Sequence, residues 1–121
     1  MSVPQDDRVY LWDMLTAARA VGDFTRGRSL AEYEADLMLR SAVERQIEII
    51  GEAARRISRE FQEAHPEIPW RLIQAQRHVL AHDYGEIKHD RIWRVALESC
   101  VSGFFAGAIS RCHVAAVVHS W

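Results

Sequence analysis

Apolar residues recur at steps of three and four along most of the chain, which is the spacing of one face of an α-helix. The first such run predicts a helix over residues 6–21. Asp6 and Asp7 favour its start because acidic side chains interact well with the positive end of the helix dipole, and Gly22 is typical of a helix end. The predicted buried face consists of Val9, Trp12, Leu15, Ala18 and Val21.

A second run predicts a short helix followed by a long one that ends near Glu60. Ser29 and Glu32 have the spacing of a capping box at the start of the short helix. In the long helix the apolar positions step by 4, 3, 4, 3 and 4, which is typical of packing against an antiparallel neighbour. These positions are Val43, Ile47, Ile50, Ala54, Ile57 and Phe61. The opposite face is charged and predicts a solvated surface, with attraction between Glu52 and Arg56.

The rest of the chain continues the helical pattern after a turn at residues 65–69. Pro69 suits a first helical position, so a helix is predicted over residues 70–81. Residues 83–85 interrupt it, and Asp90 is expected to cap a last helix with a wide apolar face. Strands are not expected because no useful length of the chain alternates with period two. The pattern predicts an all-α, up-and-down helical bundle of four main helices plus one short helix, in a single domain over residues 1–121.

Length and composition exclude several classes of protein. The 121 residues suit one domain with a modest core. The longest uncharged run has twelve residues, from Ser99 to Ser110, whereas a membrane-spanning helix needs about 18. Cys100 and Cys112 would be roughly 18 Å apart on one helix, too far for a disulfide. With no signal peptide at the N-terminus, we expect a reduced, cytoplasmic protein without a membrane segment. The wide apolar face favours a dimer.

The window from Trp70 to Trp93 is unusually basic for a chain of net charge −2. Together with Arg94 just beyond it, the window carries five basic residues against three acidic ones, a local charge of about +2. It also holds three of the six histidines, His78, His82 and His89. Such a patch is suited to an anion such as RNA phosphate.

Within this window, Arg77, His82 and Tyr84 have the parts for phosphodiester cleavage without a metal. Residues five apart on an ideal helix are about 140° apart, so Arg77 and His82 converge only if the helix ends near residue 81. Histidine can then transfer protons, while arginine neutralises charge on the phosphate. The alternative is structural: His82 caps a helix C-terminus, and Arg77 pairs with Asp83 or Glu86.

A metal site is a second alternative, since His78 and His82 are four residues apart and can share a helix face. Asp83 or His89 would supply a third ligand. The signal is weak, because no glutamate follows His78 as it does in zinc proteases. The chain contains no glycine-rich phosphate loop, no CxxC pair and no nucleophile elbow.

The spacing Arg77-x4-His82-x-Tyr84 resembles the motif of the HepT toxins of the HEPN superfamily. Residues 45–54, RQIEIIGEAA, resemble the long-helix signature of that family. Residues 68–70 before the motif and 90–93 after it also match its pattern. The likeness covers roughly residues 9–97. It departs from the family at His78, where relatives most often have asparagine, and beyond Leu97, where the family ending is not recognisable.

The resemblance implies an α-helical homodimer in which two motif copies face each other across a cleft. It implies a metal-independent endoribonuclease toxin that acts on RNA and needs no cofactor. Its antitoxin would be an MNT-type nucleotidyltransferase that silences it by transferring AMP from ATP to the motif tyrosine. Carried over, Arg77 and His82 would be catalytic, His78 and Asp83 supporting, and Tyr84 the modified residue. A second hypothesis is a non-catalytic docking partner or substrate of such a nucleotidyltransferase.

Overall fold

The computed structural model describes residues 5–71, 73–75 and 89–97. All regular secondary structure in these ranges is helical, which confirms the all-α prediction. The helices are α1 (Gln5–Thr25), α2 (Leu30–Ala35), α3 (Leu37–Arg56), α4 (Arg59–Ala64) and α5 (His89–Val95). Residues 70–71 and 73–75 are also helical, as predicted for the helix that starts after Pro69. In the described ranges, no helix has the length and apolar character needed to cross a membrane.

The central helix pair is α1 with α3, and the apolar positions predicted along the long helix belong to the core. Every one of these side chains is buried: Val43, Ile47, Ile50, Ala54, Ile57 and Phe61. The start of α1 lies beside the end of α3, so the two helices are antiparallel, as the spacing predicted. Each buried isoleucine or valine contributes about 1.5–3 kcal/mol, so these positions dominate the core.

The face predicted for α1 is partly wrong. Val9 is 52% exposed and Trp12 is 50% exposed, although both were expected in the core. The helix is rotated so that Leu11 and Met14 are fully buried instead, next to the correctly predicted residues Leu15, Ala18 and Val21. Because α1 is apolar around much of its circumference, the three- and four-residue spacing is compatible with more than one buried face of this helix. Packing against α3 determines which face is buried.

The end of α1 also differs from the prediction, since the helix continues through Gly22 to Thr25. The Thr25 hydroxyl donates a hydrogen bond to the Val21 carbonyl at 2.7 Å. Gly27 follows with a φ of 71°, a left-handed conformation that glycine adopts readily. Gly27, rather than Gly22, therefore marks the reversal of the chain after α1.

The two helices that follow begin at side-chain caps. The Ser29 hydroxyl accepts a hydrogen bond from the Glu32 amide at 3.2 Å, which confirms the predicted Ser29 cap of α2, and it donates one to the Glu32 carboxylate at 3.3 Å. The Asp36 carboxylate accepts one from the Leu39 amide at 3.1 Å and starts α3. These caps satisfy amides that lack partners inside the helices, and each contributes about 1 kcal/mol.

The long helix predicted to reach Glu60 is broken, because α3 ends at Arg56 and α4 starts at Arg59. Ser58 lies at the break and accepts a hydrogen bond from the Phe61 amide at 3.2 Å. The buried carboxylate of Asp7 accepts two hydrogen bonds from Ser58, one from its amide at 2.8 Å and one from its hydroxyl at 2.7 Å. A partner from α1 thus stabilises a bend that the apolar spacing alone did not reveal.

The remaining predictions about helix surfaces have mixed outcomes. The attraction between Glu52 and Arg56 is confirmed by a contact of 2.9 Å. Asp90 lies inside the first turn of α5, so its predicted role as the preceding cap is wrong. Ile92, Trp93 and Ala96 are buried, as expected for the last helix. Cys100, Cys112 and the rest of residues 98–121 lie outside the described ranges.

Candidate active site

The five residues singled out for chemistry lie between residues 76 and 88, outside the described ranges. They are Arg77, His78, His82, Asp83 and Tyr84. Their geometry therefore stays a prediction, and so does the metal alternative that uses His78 and His82. The structure does describe the chain on either side of them. These flanking residues determine where the motif segment starts and where it ends.

The segment that enters the motif is held against α4 by backbone and aromatic contacts. The indole nitrogen of Trp70 donates a hydrogen bond to the His65 carbonyl at 3.0 Å. The His65 ring lies 4.3 Å from the Phe61 ring, and its Nδ1 is 3.2 Å from the carboxylate of Glu67. Ile68 is buried beneath this turn. His65 is half-buried in this turn.

The segment that leaves the motif is held by α2. The Tyr33 ring lies 5.1 Å from the Trp93 ring and 6.3 Å from the His89 ring, which it meets edge to face. Tyr33 is fully buried, and α2 and α5 pack against each other. Aromatic pairs at these distances add about 0.5–1.5 kcal/mol each beyond the area that they bury. The chain is thus anchored seven residues after His82.

A polar cluster of Tyr33, His89 and Glu44 surrounds this second anchor. Neither the Tyr33 hydroxyl nor the His89 Nδ1 has a hydrogen-bond partner among the described residues, although both atoms are buried. Burial raises the pKa of the Tyr33 phenol, and the charge of Glu44 adds to this effect. Burial also raises the pKa of the Glu44 carboxyl, which the charges of His89 and Arg40 oppose.

Sequence reasoning missed this cluster because it placed Glu44 on a solvated helix face. In the structure Glu44 is only half-exposed, and its carboxyl interacts electrostatically with His89 of α5 and with Tyr33 of α2. The one available signal was the combination of a tyrosine in α2 with a histidine just after the motif. Neither spacing nor composition indicates that residues 33, 44 and 89 interact, because they belong to three separate helices.

A groove borders the entering segment, and we call it the α4 groove. Its volume is about 620 Å³, and it is lined by Arg59, Gln62, Glu63, Ile68, Pro69, Trp70 and Arg71. Gln62 is fixed there because its side-chain amide donates to the carbonyls of Ala54 and Ile57. Among the described residues no cluster of three or more potential metal ligands occurs.

Comparison with known proteins identifies the class of this fold. Residues 14–101 match the family described as Ribonuclease HepT-like. Together with the all-α architecture, this match places the chain among HEPN-like helical bundles. The match covers well over half of the chain. The chain belongs to the Ribonuclease HepT-like family.

Curated relatives agree with this family. The chain is 36% identical over 94 residues to "Putative RNase MJ1380" of Methanocaldococcus jannaschii, covering 78% of this chain and 86% of the relative. It is also 36% identical over 93 residues to "Probable ribonuclease HepT" of Thermococcus cleftensis, covering 77% and 84%. A third relative is "Putative RNase TTE0752" of Caldanaerobacter subterraneus, 33% identical over 91 residues, covering 75% and 81%. No solved structure matches the chain significantly.

Proposed function

We propose that this protein is a metal-independent endoribonuclease and the toxin of a toxin–antitoxin pair. One observation carries the proposal: the sequence Arg77-x4-His82-x-Tyr84 falls inside the region that matches the Ribonuclease HepT-like family. The names of three relatives as RNases or HepT support the same activity. The anchors at Trp70 and at His89 support it further, because they fix both ends of the segment that carries the motif.

The proposed chemistry needs only the chain's own side chains. His82 takes the proton of a ribose 2′-hydroxyl, whose oxygen then attacks the adjacent phosphorus. The bond from phosphorus to the 5′-oxygen breaks, and that oxygen leaves with a proton. The products are a 2′,3′-cyclic phosphate and a 5′-hydroxyl. Arg77 binds the phosphate and neutralises the charge that grows on its oxygens.

The other motif residues have supporting roles in this proposal. His78 and Asp83 flank the reacting pair in sequence and orient it or adjust its charge. The protein would act in the cytoplasm as a homodimer whose two motif copies face one cleft. In such a cleft the histidine of one copy is available to protonate the leaving oxygen while the other acts as base.

Silencing is proposed to occur at Tyr84. An MNT-type nucleotidyltransferase transfers AMP from ATP to the phenol oxygen and releases pyrophosphate. The adenylate adds bulk and negative charge two residues from His82. It therefore both fills the site and repels the phosphates of RNA. This modification explains how a cell tolerates a ribonuclease that needs no metal or cofactor.

The ends of the RNA fragments test the proposed reaction. Purified protein without adenylate should cut single-stranded RNA into fragments with 2′,3′-cyclic phosphate and 5′-hydroxyl ends. Arg77→Ala should lower the rate at least 100-fold, and Arg77→Lys should recover part of it, since lysine keeps the charge but not the bidentate geometry. Fragments with 3′-hydroxyl and 5′-phosphate ends would contradict the mechanism. An inactive protein that still accepts AMP would instead be a non-catalytic partner of the nucleotidyltransferase.

A further inference from the structure

The α4 groove is not explained by the motif, yet it is a built feature of the fold. Its lining residues come from the short helix α4, from the buried Ile68 and from the chain that enters the motif. That entering chain is held by the hydrogen bond from the Trp70 indole to the His65 carbonyl. The volume of about 620 Å³ lies in the range of sites for small-molecule ligands, about 300–1,000 Å³, so a nucleotide fits.

Two arginines line the groove and make it suited to an anionic ligand. Arg59 reaches it from α4, and Arg71 from the start of the next helix. Neither forms an ion pair with any described residue, although Glu63 is one turn from Arg59 in the same groove. Elsewhere the described arginines are often paired with acidic residues, as Arg26 is with Asp23 and Arg55 is with Glu52. Two guanidinium groups that line one groove and have no ion-pair partner in the described part of the chain are suited to phosphate, which they contact in bidentate geometry.

The groove is close to the motif in the chain. Arg71 precedes Arg77 by six residues. Even a fully extended chain spans no more than about 22 Å over six residues, so the Cα atoms of Arg71 and Arg77 lie within about 22 Å of each other. A few nucleotides of single-stranded nucleic acid span such a distance, and sites for single strands commonly cover about 4–16 nucleotides. This distance is short enough for one strand to reach both Arg77 and the groove.

We propose that the α4 groove is a subsite that binds a backbone phosphate of the RNA strand, a few nucleotides from the bond that is cut. Arg59 binds the phosphate from α4 and Arg71 from the next helix, and Glu63 weakens the binding by repulsion. The inference rests on the proposed ribonuclease function and deepens it. The subsite holds the strand by its backbone, so it contributes affinity without base preference.

Binding to uncleaved RNA tests the subsite. In the His82→Ala background, the affinity for a short fluorescein-labelled single-stranded RNA is measured by anisotropy at several salt concentrations. The double variant Arg59→Ala/Arg71→Ala should bind about 10-fold more weakly, and the slope of log affinity against log salt should fall by about 0.7, the value for one lost phosphate contact on a single strand. Glu63→Gln should bind about 2–3-fold more tightly, because it removes a carboxylate that lines the groove and repels phosphate.

A matched control separates the groove from total charge. Arg26→Ala/Arg55→Ala removes the same net charge from two ion-paired arginines outside the groove and should change affinity less than 2-fold. Equal losses in both double variants would overturn the subsite. The double variant Arg59→Gln/Arg71→Gln serves as a second test, because glutamine removes the positive charge and keeps most of the side-chain packing of arginine. Circular dichroism of every variant checks the fold.

Two further outcomes distinguish this proposal from its alternatives. AMP alone could displace the RNA at concentrations near the dissociation constant of AMP, with the displacement lost when Arg59 and Arg71 are replaced. In that case the groove is a mononucleotide site and the strand proposal is wrong. If the unmodified protein fails to cut RNA while binding still depends on the groove, the ribonuclease function fails and the subsite stands. If RNA is cut normally and the affinity for RNA is unchanged by substitutions at Arg59, Arg71 and Glu63, the subsite proposal is wrong and the ribonuclease function stands.

Discussion

Asp7 and Ser58 are 51 residues apart in the chain, yet the carboxylate of Asp7 accepts hydrogen bonds from both the amide and the hydroxyl of Ser58, at 2.8 and 2.7 Å. This contact joins the start of α1 to the break between α3 and α4. Asp7 is 2% exposed, so its carboxylate depends on these two donors together with the positive end of the α1 dipole. The contact therefore helps to fix where α4 begins, before the entry to the motif.

The first prediction concerns stability at this contact. Asp7→Ala should lower the free energy of unfolding by about 2–4 kcal/mol, since hydrogen bonds to charged groups contribute about 1.5–3 kcal/mol each and a buried donor loses its partner. Asp7→Asn should lose roughly half as much, because an amide retains one acceptor oxygen. Urea denaturation followed by circular dichroism measures both.

Asp6→Ala is the matched control for Asp7, since Asp6 is its exposed neighbour in the first turn of α1. It should cost no more than about 1 kcal/mol, the contribution of a surface charge near a helix N-terminus. Equal stability of the Asp6 and Asp7 variants would show that the contact to Ser58 contributes nothing, contrary to the structure.

The second prediction is a pH dependence at Glu44. Burial raises the pKa of this carboxyl, so the folded protein holds the proton at a higher pH than the unfolded chain does. The ionised carboxylate therefore lowers stability at neutral pH, and the loss disappears as the pH falls below the unfolded value of about 4.3. Glu44→Gln should be more stable than the unmutated protein at pH 7, with the difference shrinking towards pH 4.

The exposed Glu60 provides the comparison for Glu44. Glu60→Gln should show no comparable gain at pH 7 under the same denaturation conditions. A Glu44→Gln protein that is less stable than the unmutated one at pH 7 would contradict the prediction. Such a loss would mean that the attraction of His89 and Arg40 for the carboxylate outweighs its burial.

The third prediction separates the ring of Tyr33 from its hydroxyl. The ring packs on Trp93 and His89, whereas the buried hydroxyl has no hydrogen-bond partner in the described part of the chain. Tyr33→Phe should therefore be neutral or more stable by about 1 kcal/mol, because it removes an unpaired polar group. Tyr33→Ala should cost about 3–5 kcal/mol through the cavity that it leaves. A large loss in Tyr33→Phe would reveal a partner for the hydroxyl.

Several features of this fold follow from sequence pattern, and each of them is local. The apolar seam of α3 was predictable because Val43, Ile47 and Ile50 recur at the helical period with no competing face. The cap of α2 was predictable because the Ser29 hydroxyl satisfies an amide only three residues away. The turn before Trp70 follows from two prolines in five residues.

The features that sequence pattern missed depend on contacts between distant residues. The break after α3 is stabilised by Asp7, which approaches Ser58 only once α1 has packed on α3. The exposure of Trp12 results from the choice between two apolar faces of α1. The cluster at Glu44 requires three helices to meet. For the motif itself, the residue pattern and the family indicate the chemistry, and its geometry stays a prediction.

The fourth prediction tests the proposed silencing. When the protein is coexpressed with an MNT-type nucleotidyltransferase, its intact mass should increase by one adenylate, and Tyr84→Phe should abolish that increase. Tyr10→Phe is the matched control, because Tyr10 is a half-buried tyrosine that contacts Arg56 far from the motif in sequence. An adenylate that persists in the Tyr84→Phe protein would place the modification on another residue.

The most direct test of the central claim is the rate of RNA cleavage in EDTA, measured for the unmodified protein and for His82→Ala. Proton transfer by one histidine contributes about 100–10,000-fold to a rate, so the variant should lose at least 100-fold while the original protein stays active in the chelator. His65→Gln, which alters a histidine packed on Phe61, should stay within a few-fold. Equal rates for the original protein and His82→Ala, or cleavage that EDTA abolishes, would contradict a metal-independent ribonuclease centred on His82.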